Sequence, residues 1–210
     1  LIHSRIPLRS FDDFRGKRIR YPGGIIADTF QSAGVSTVLL PLNEVLPAFE
    51  REDIDAADYS GWDRNWNLGL GEIAKFIIMG PPTTPCLHQP ADLMSILVNM
   101  AVWRRIPRHL QHLLETAVTQ YSRDHHAGIQ KADLEAIPKF LKAGGEVIRL
   151  RERDVDRFRR YAPEMWVKWA QKDRLAMKAF KSQWEFMKSE KVRYYSEKDL
   201  VDARGRRLSI

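Results

Sequence analysis

Arg20 stands where a short strand must run out. Arg18-Ile19-Arg20-Tyr21 is preceded by a polar turn with Gly16 and ended by Pro22-Gly23-Gly24, and an apolar helical run over residues 25–33 follows at once. Strand, glycine turn and helix make half of a βαβ unit. Ligands of open α/β sheets collect at the carboxyl ends of strands. A planar guanidinium there can grip a carboxylate through two parallel hydrogen bonds, which a lysine cannot do. Arg20 is therefore read as a carboxylate clamp, against the plainer alternative of a surface arginine. Asp58 and Tyr59 sit at a second strand exit. A carboxylate with nearby carbonyl oxygens suits a hard cation, but an aspartate there also serves as a turn or helix cap. Tyr59 and Trp62 could wall a pocket or belong to the core. Asn99 marks a third exit, where asparagine is also a common turn residue. His125-His126 is no metal pair, because adjacent helical side chains do not face each other. Glu44 and Glu50 read as solvated helix positions.

The elements that would hold these residues alternate between strand and helix as far as Asn99. Strands are expected over residues 18–21, 37–40, 54–59, 76–79 and 94–98, and a helix over 42–50 with Val45, Leu46 and Phe49 on one face. Gly80-Pro81-Pro82-Thr83-Thr84-Pro85 must be an irregular loop, since its prolines cannot donate to a ladder. This pattern is an α/β fold with a mostly parallel sheet. After Trp103 the chain becomes helical over residues 108–142, with Leu110, Leu113, Leu114, Ala117, Val118 and Tyr121 on one stripe and a kink or break expected at Pro138. A last strand is expected over 146–150. One long helix is expected over 154–189, carrying Val155, Phe158, Met165, Trp169, Met177, Phe180, Trp184 and Met187 at helical spacing, interrupted early by Pro163 and open to a break into two there. The division is thus an α/β lobe over 1–103, a helical region over 104–192 and a polar, partly disordered tail over 193–210.

The 210 residues are 44% hydrophobic and 29% charged, with six tryptophans, an ordinary globular composition. No run nears the ~20 apolar residues of a membrane span. The single cysteine, Cys86, rules out an internal disulfide and a cysteine-rich metal site. The net charge of +7 would suit a nucleic-acid or membrane-surface partner, although its excess lies late in the chain, where basic residues scattered on amphipathic helices form a solvated face.

Several motifs also fall into one order. Asp12 to Gly24, Leu40-Pro41-Leu42-Asn43-Glu44-Val45-Leu46-Pro47-Ala48-Phe49-Glu50-Arg51, Ile54-Asp55-Ala56-Ala57-Asp58-Tyr59, Leu68-Gly69-Leu70, Ala74-Lys75-Phe76 and Asn99-Met100-Ala101-Val102-Trp103 follow one another. The set resembles the DctP-type solute-binding subunit of tripartite ATP-independent periplasmic (TRAP) transporters, most of all the branch that binds 2-oxo acids and related monocarboxylates. The resemblance is strong over residues 10–103 and holds in pattern only beyond. It implies a type II periplasmic-binding-protein-like fold of two lobes closing on the ligand. This chain would be the second lobe with long C-terminal helices, and the first lobe and the signal peptide would lie upstream of Leu1.

What the resemblance implies for individual residues follows. Arg20 would pair with the substrate carboxylate. Asp58 would help to hold a sodium or calcium ion bridging to the ligand. Asn99 matches an asparagine common in the family. Where the family carries a glutamate that can be a second acidic ligand, this chain has Gln89, after His88 and about five extra residues, so Gln89 would either join the cation site or hydrogen-bond the ligand directly. No cofactor would be required. The partners would be a small 2-oxo or hydroxy monocarboxylate and the two TRAP membrane subunits, with a homodimer through the long C-terminal helix as a further expectation, and the compartment the periplasm. Two other classes remain open. A basic helical nucleic-acid-binding protein would expose its tryptophans for base stacking. An α/β enzyme acting on a carboxylate would use Asp58 as general base and needs a second catalytic group, of which the sequence offers no clear case.

Overall fold

The computed structural model describes residues 1–82, 87, 95–190, 196, 198 and 200–209. Its sheet has six strands: β1 (Ile2–Ser4), β2 (Arg18–Arg20), β3 (Ser36–Val38), β4 (Ala56–Asp58), β5 (Phe76–Met79) and β6 (Glu146–Arg149), in the order β3-β2-β4-β1-β5-β6. β2 pairs in parallel with β3 and β4, and β5 with β6, while β1 runs antiparallel to both β4 and β5. The sheet is mostly parallel, as expected. The strand missing from the sequence reading is β1, and it occupies the middle. All three of its residues are buried, so they show no alternation by which a strand could be recognised.

Helices cover both faces. α1 (Gly24–Ser32) follows β2 through Gly23 and Gly24, whose φ angles of 85° and 66° need glycine. α2 (Leu42–Glu50) starts behind Pro41 and buries Val45, Ala48 and Phe49. Two short helices that the sequence reading did not list, α3 (Trp62–Asn67) and α4 (Leu70–Ile73), fill the passage from β4 to β5. On one side, Phe11 and Phe14 of a short 3-10 helix (Phe11–Phe14) join Tyr21, Phe30 and Phe158 in an aromatic cluster. Elsewhere Val45, Phe49, Ile54 and Leu70 form one group, and Trp62, Ile77, Met79, Ala136 and Phe140 another.

Three expectations need correction. The strand expected over 94–98 does not form in its described part, because residues 95–99 make no sheet pairing and lead into α5 (Met100–Arg105). The helix α6 (Arg108–Lys142) runs through Pro138 without ending, for 35 residues or about 52 Å. Its first half is not core-facing: Leu110, Leu113, Leu114, Val118 and Tyr121 are all exposed, and burial begins only at Ala136 and Phe140, where α6 meets α3. The helical stretch over 154–189 is three helices, α7 (Glu152–Arg159), α8 (Ala162–Ala170) and α9 (Arg174–Ser189): the first break falls beside Pro163, where an interruption was expected, and the second was not expected. Pro163 lies in the first turn of α8, where its missing N–H removes no helical hydrogen bond. Asp173 caps α9 by accepting from the amides of Leu175 and Ala176 at 2.7 and 2.8 Å. The long element through which a homodimer was expected is therefore absent.

In the tail, Val201 bridges Arg207, Asp202 accepts from the amides of Arg204 and Arg206, and Leu200 packs with Val167 and Trp184. Those residues form a folded turn rather than a disordered end. None of the six tryptophans is exposed, so the base-stacking expectation of a nucleic-acid-binding protein is not met.

Candidate carboxylate site

β2 lies between β3 and β4, and the register sets Arg20 beside Val38 and Ala57. The Arg20 side chain then reaches over both neighbouring strand exits. Nε donates to the carbonyl oxygen of Leu40 at 3.1 Å and Nη1 to that of Asp58 at 2.7 Å. Arg20 is 8% exposed, and burial pushes its pKa down against the opposing pull of Asp58 and Tyr59. Two of the five guanidinium N–H groups are thus used. Among the described residues the rest of the fork, including Nη2, has no acceptor.

Asp58 ends β4 with its carboxylate buried. Tyr59 follows, half-buried, and its ring centroid lies 5.8 Å from the guanidinium carbon of Arg20 and 5.8 Å from that of Arg64. The Tyr59 hydroxyl accepts from Arg64 Nε at 3.2 Å. The turn from β4 into α3 is fixed by side chains. Fully buried Asn65 accepts from the Ser60 amide at 3.0 Å and donates to the Ser60 carbonyl at 3.2 Å. Asp133, from α6, accepts from the Asp63 amide at 2.9 Å and so caps α3 from another helix. A side chain at Gly61 would collide with that carboxylate, its Cβ falling 2.8 Å from Asp133 Oδ2.

Arg20, Asp58 and Tyr59 therefore come together. Trp62 belongs to the core, 9% exposed and edge-on to Phe140 with centroids 5.9 Å apart. Asn99 is exposed and spends its Oδ1 on the amides of Ala101 and Val102 as the cap of α5. Gln89 and His88 lie outside the described residues. Sequence reasoning missed Arg64, Asn65 and Asp133. The five-residue step from Ser60 to Asn65 at a helix start could have suggested the second; nothing local suggests Asp133.

A hard cation of the calcium type wants six to eight oxygen ligands. Among the described residues no group of three or more His, Cys, Asp or Glu side chains could hold a metal ion, and the Asp58 carbonyl already serves Arg20. The described residues do not make a cation site by themselves.

Residues 2–173 match the model of the family described as bacterial extracellular solute-binding protein, family 7 (DctP). A monocarboxylate 2-oxoacid-binding periplasmic protein of Nostoc sp. is 25% identical over 178 residues, covering 85% of this chain. The chain spans about half the length of the curated relatives it matches, 47% of that one and 43% of another. Among solved structures, a TRAP periplasmic solute-binding protein of Rhodobacter sphaeroides in an apo open form is 26% identical with a TM-score of 0.66, covering 90% of this chain and 59% of its own. One of Pseudoalteromonas atlantica, with bound sodium and pyruvate, is 19% identical with a TM-score of 0.76, covering 90% and 56%. With the family model matched over most of its length, the chain belongs to the DctP family of bacterial extracellular solute-binding proteins.

Proposed function

We propose that this chain forms the carboxylate-gripping lobe of a periplasmic solute-binding protein, which captures a small organic acid and delivers it to the membrane subunits of a TRAP transporter. The observation that carries the reading is the Arg20 fork. Its Nε and one Nη1 N–H are fixed to the exits of β3 and β4, and the remaining donors have no acceptor among the described residues. A guanidinium held in this way has lost its rotamer freedom before the ligand arrives, so less entropy is lost on binding. The 2-oxoacid in the name of the Nostoc relative and the pyruvate in the Pseudoalteromonas structure favour an acid of the 2-oxo or hydroxy class.

No bond is made or broken in this reading. A carboxylate that touches Arg20 and a second body at once stabilises the closed arrangement by its differential affinity for it, and a membrane partner can recognise that state. The enzyme alternative has nothing to favour it in the comparisons named above, which are all to solute-binding proteins.

The test uses the natively expressed protein from fractionated cells, titrated calorimetrically with pyruvate, lactate and malonate. Arg20→Ala should lose about 2–5 kcal/mol of binding to whichever acid binds the wild type, the cost of removing one partner of a desolvated charge pair. Full affinity in the variant would sink the clamp, and recovery of the protein from the cytoplasmic fraction would sink the transport reading.

A further inference from the structure

Four arginines gather where the short 3-10 helix packs on α7. Arg151, Arg153, Arg157 and Arg160 line one open cavity of about 470 Å³ together with Asp12 and Asp154, an excess of two positive charges. The cavity shares no residue with the Arg20 site, which stands at the exit of β2, whereas the 3-10 helix leads into that strand. Two of the arginines are already engaged. Arg157 grips the Asp12 carboxylate fork to fork, Nη1 to Oδ2 at 2.7 Å and Nη2 to Oδ1 at 2.8 Å, with its guanidinium carbon 4.0 Å from the Phe11 ring centroid. Arg151 donates through Nε to Asp154 at 2.8 Å. The other two are not engaged. Arg153 and Arg160 are exposed, and among the described residues neither guanidinium makes a hydrogen bond or an ion pair, although the charge of Arg153 acts on Asp154 through space. Asp12 shows what this cavity can hold, an oxyanion taken by two parallel N–H bonds.

We propose that the cavity is an oxyanion site for a phosphate monoester group, offered by a soluble phosphate or by a lipid headgroup. Such a group carries a charge of about −1.5 to −2 at neutral pH and three acceptor oxygens. It matches the excess of two charges and supplies oxygens to the forks of both Arg153 and Arg160. A monocarboxylate has one charge and two oxygens, and a single fork satisfies it. The volume is that of a small-molecule site, but the walls are charged where such sites are mostly apolar, so they select an ionic group. Because these charges are exposed, binding weakens as salt rises. The site goes beyond the transport reading and does not rest on it.

The natively expressed protein at low ionic strength is titrated with inorganic phosphate, followed by phosphorus NMR, and with phosphatidylcholine vesicles with and without phosphatidic acid, followed by cosedimentation. Saturable binding of phosphate alone identifies a soluble ligand, and binding that requires phosphatidic acid identifies a headgroup. In either case Arg153→Gln and Arg160→Gln should each weaken binding by about threefold and together by about tenfold, the size of exposed charged contacts. Neither side chain holds another residue in place, so these variants keep the fold. Asp12→Ala removes the competing carboxylate and releases the Arg157 fork, and should tighten binding. Arg20→Ala should leave it unchanged. A wild type that binds neither probe overturns the inference, as does binding that persists in the double variant or falls in Arg20→Ala. A phosphate response reproduced by chloride at equal ionic strength overturns it as well. The transport reading stands or falls separately, on the titration with organic acids.

Discussion

Arg20 Nη1 donates to the Asp58 carbonyl oxygen at 2.7 Å while its Nε holds the Leu40 carbonyl at 3.1 Å. One side chain therefore ties together the exits of β3, β2 and β4, which are neighbours in the sheet. The fork does two things at once, and a point charge cannot do both. An ammonium has three donors on one atom, so it cannot span two carbonyls and still present a planar pair to a carboxylate. Arg20→Lys should therefore weaken acid binding by about tenfold or more, with some loss of thermal stability from the untied exits. Titration and thermal melting of the same variant check this. Wild-type affinity in the lysine variant would show that charge alone suffices.

The parts of this site that were legible in the sequence are those with local punctuation. Pro22-Gly23-Gly24 marks the end of β2 and Pro41 the start of α2, and both boundaries fell within a residue of the expected ones. β1 was not legible because a three-residue, wholly buried strand has no period; its identity comes from pairing with β4 and β5. The break between α8 and α9 was hidden because the apolar positions keep helical spacing across it, although Asp173 is a visible cap. At the site, Arg20 could be read from its place at a strand end. Arg64 could not, since an exposed arginine gains meaning only when Tyr59 folds against it. Asp133 was further out of reach, because it caps a helix 70 positions away in the chain.

His3, in the centre of β1, is 1% exposed, and neither ring nitrogen has a hydrogen-bond partner among the described residues. Burial, opposed by Asp58, holds its pKa down at about 3, well below the usual histidine value. The unfolded chain takes up this proton first as pH falls. The contribution to stability is then complete above the unfolded value and is lost as pH drops from about 6.5 towards 3, by about 1.4 kcal/mol per unit at the steepest. His3→Leu should flatten that part of the stability profile without lowering stability at neutral pH. Denaturant unfolding at a series of pH values measures it, and an unchanged slope in the variant would place the acid sensitivity elsewhere.

Asp154 carries a different share of acid lability. Its buried carboxylate accepts from the Phe11 amide at 3.2 Å and from Arg151 Nε at 2.8 Å. Burial opposes ionisation, yet these two donors outweigh it and hold the carboxyl below its usual range. Stability from this group is present above the ordinary carboxylate range and is lost as pH falls through the lowered value. Asp154→Ala leaves the Phe11 amide buried without a partner and should cost about 1–3 kcal/mol. The exposed pair of Asp12 and Arg157 makes two bonds of similar length, and Asp12→Ala should cost little, because exposed pairs are solvated in both states. Melting curves of the two variants side by side decide the point; equal losses would mean that burial does not separate them.

Gly145 sits between α6 and β6, where its amide donates to the Phe140 carbonyl at 3.0 Å. A Cβ there would fall inside the van der Waals envelope of the Phe140 ring. That ring cannot readily move aside. It is 2% exposed, edge-on to Trp62 with centroids 5.9 Å apart and edge-on to His3 at 6.2 Å. Relief must come from shifting the start of β6 or the end of α6, and overpacking of this kind costs about 1–3 kcal/mol. Gly145→Ala should therefore lower stability by that amount. Because Phe140 packs Trp62 at the head of α3, acid binding should also weaken if the β4–α3 turn carries Tyr59 and Arg64 as a rigid pair. The neighbouring Gly144 is the control: it has φ of 85° but nothing within 4 Å of an added Cβ, so Gly144→Ala should destabilise through backbone strain and leave acid affinity alone.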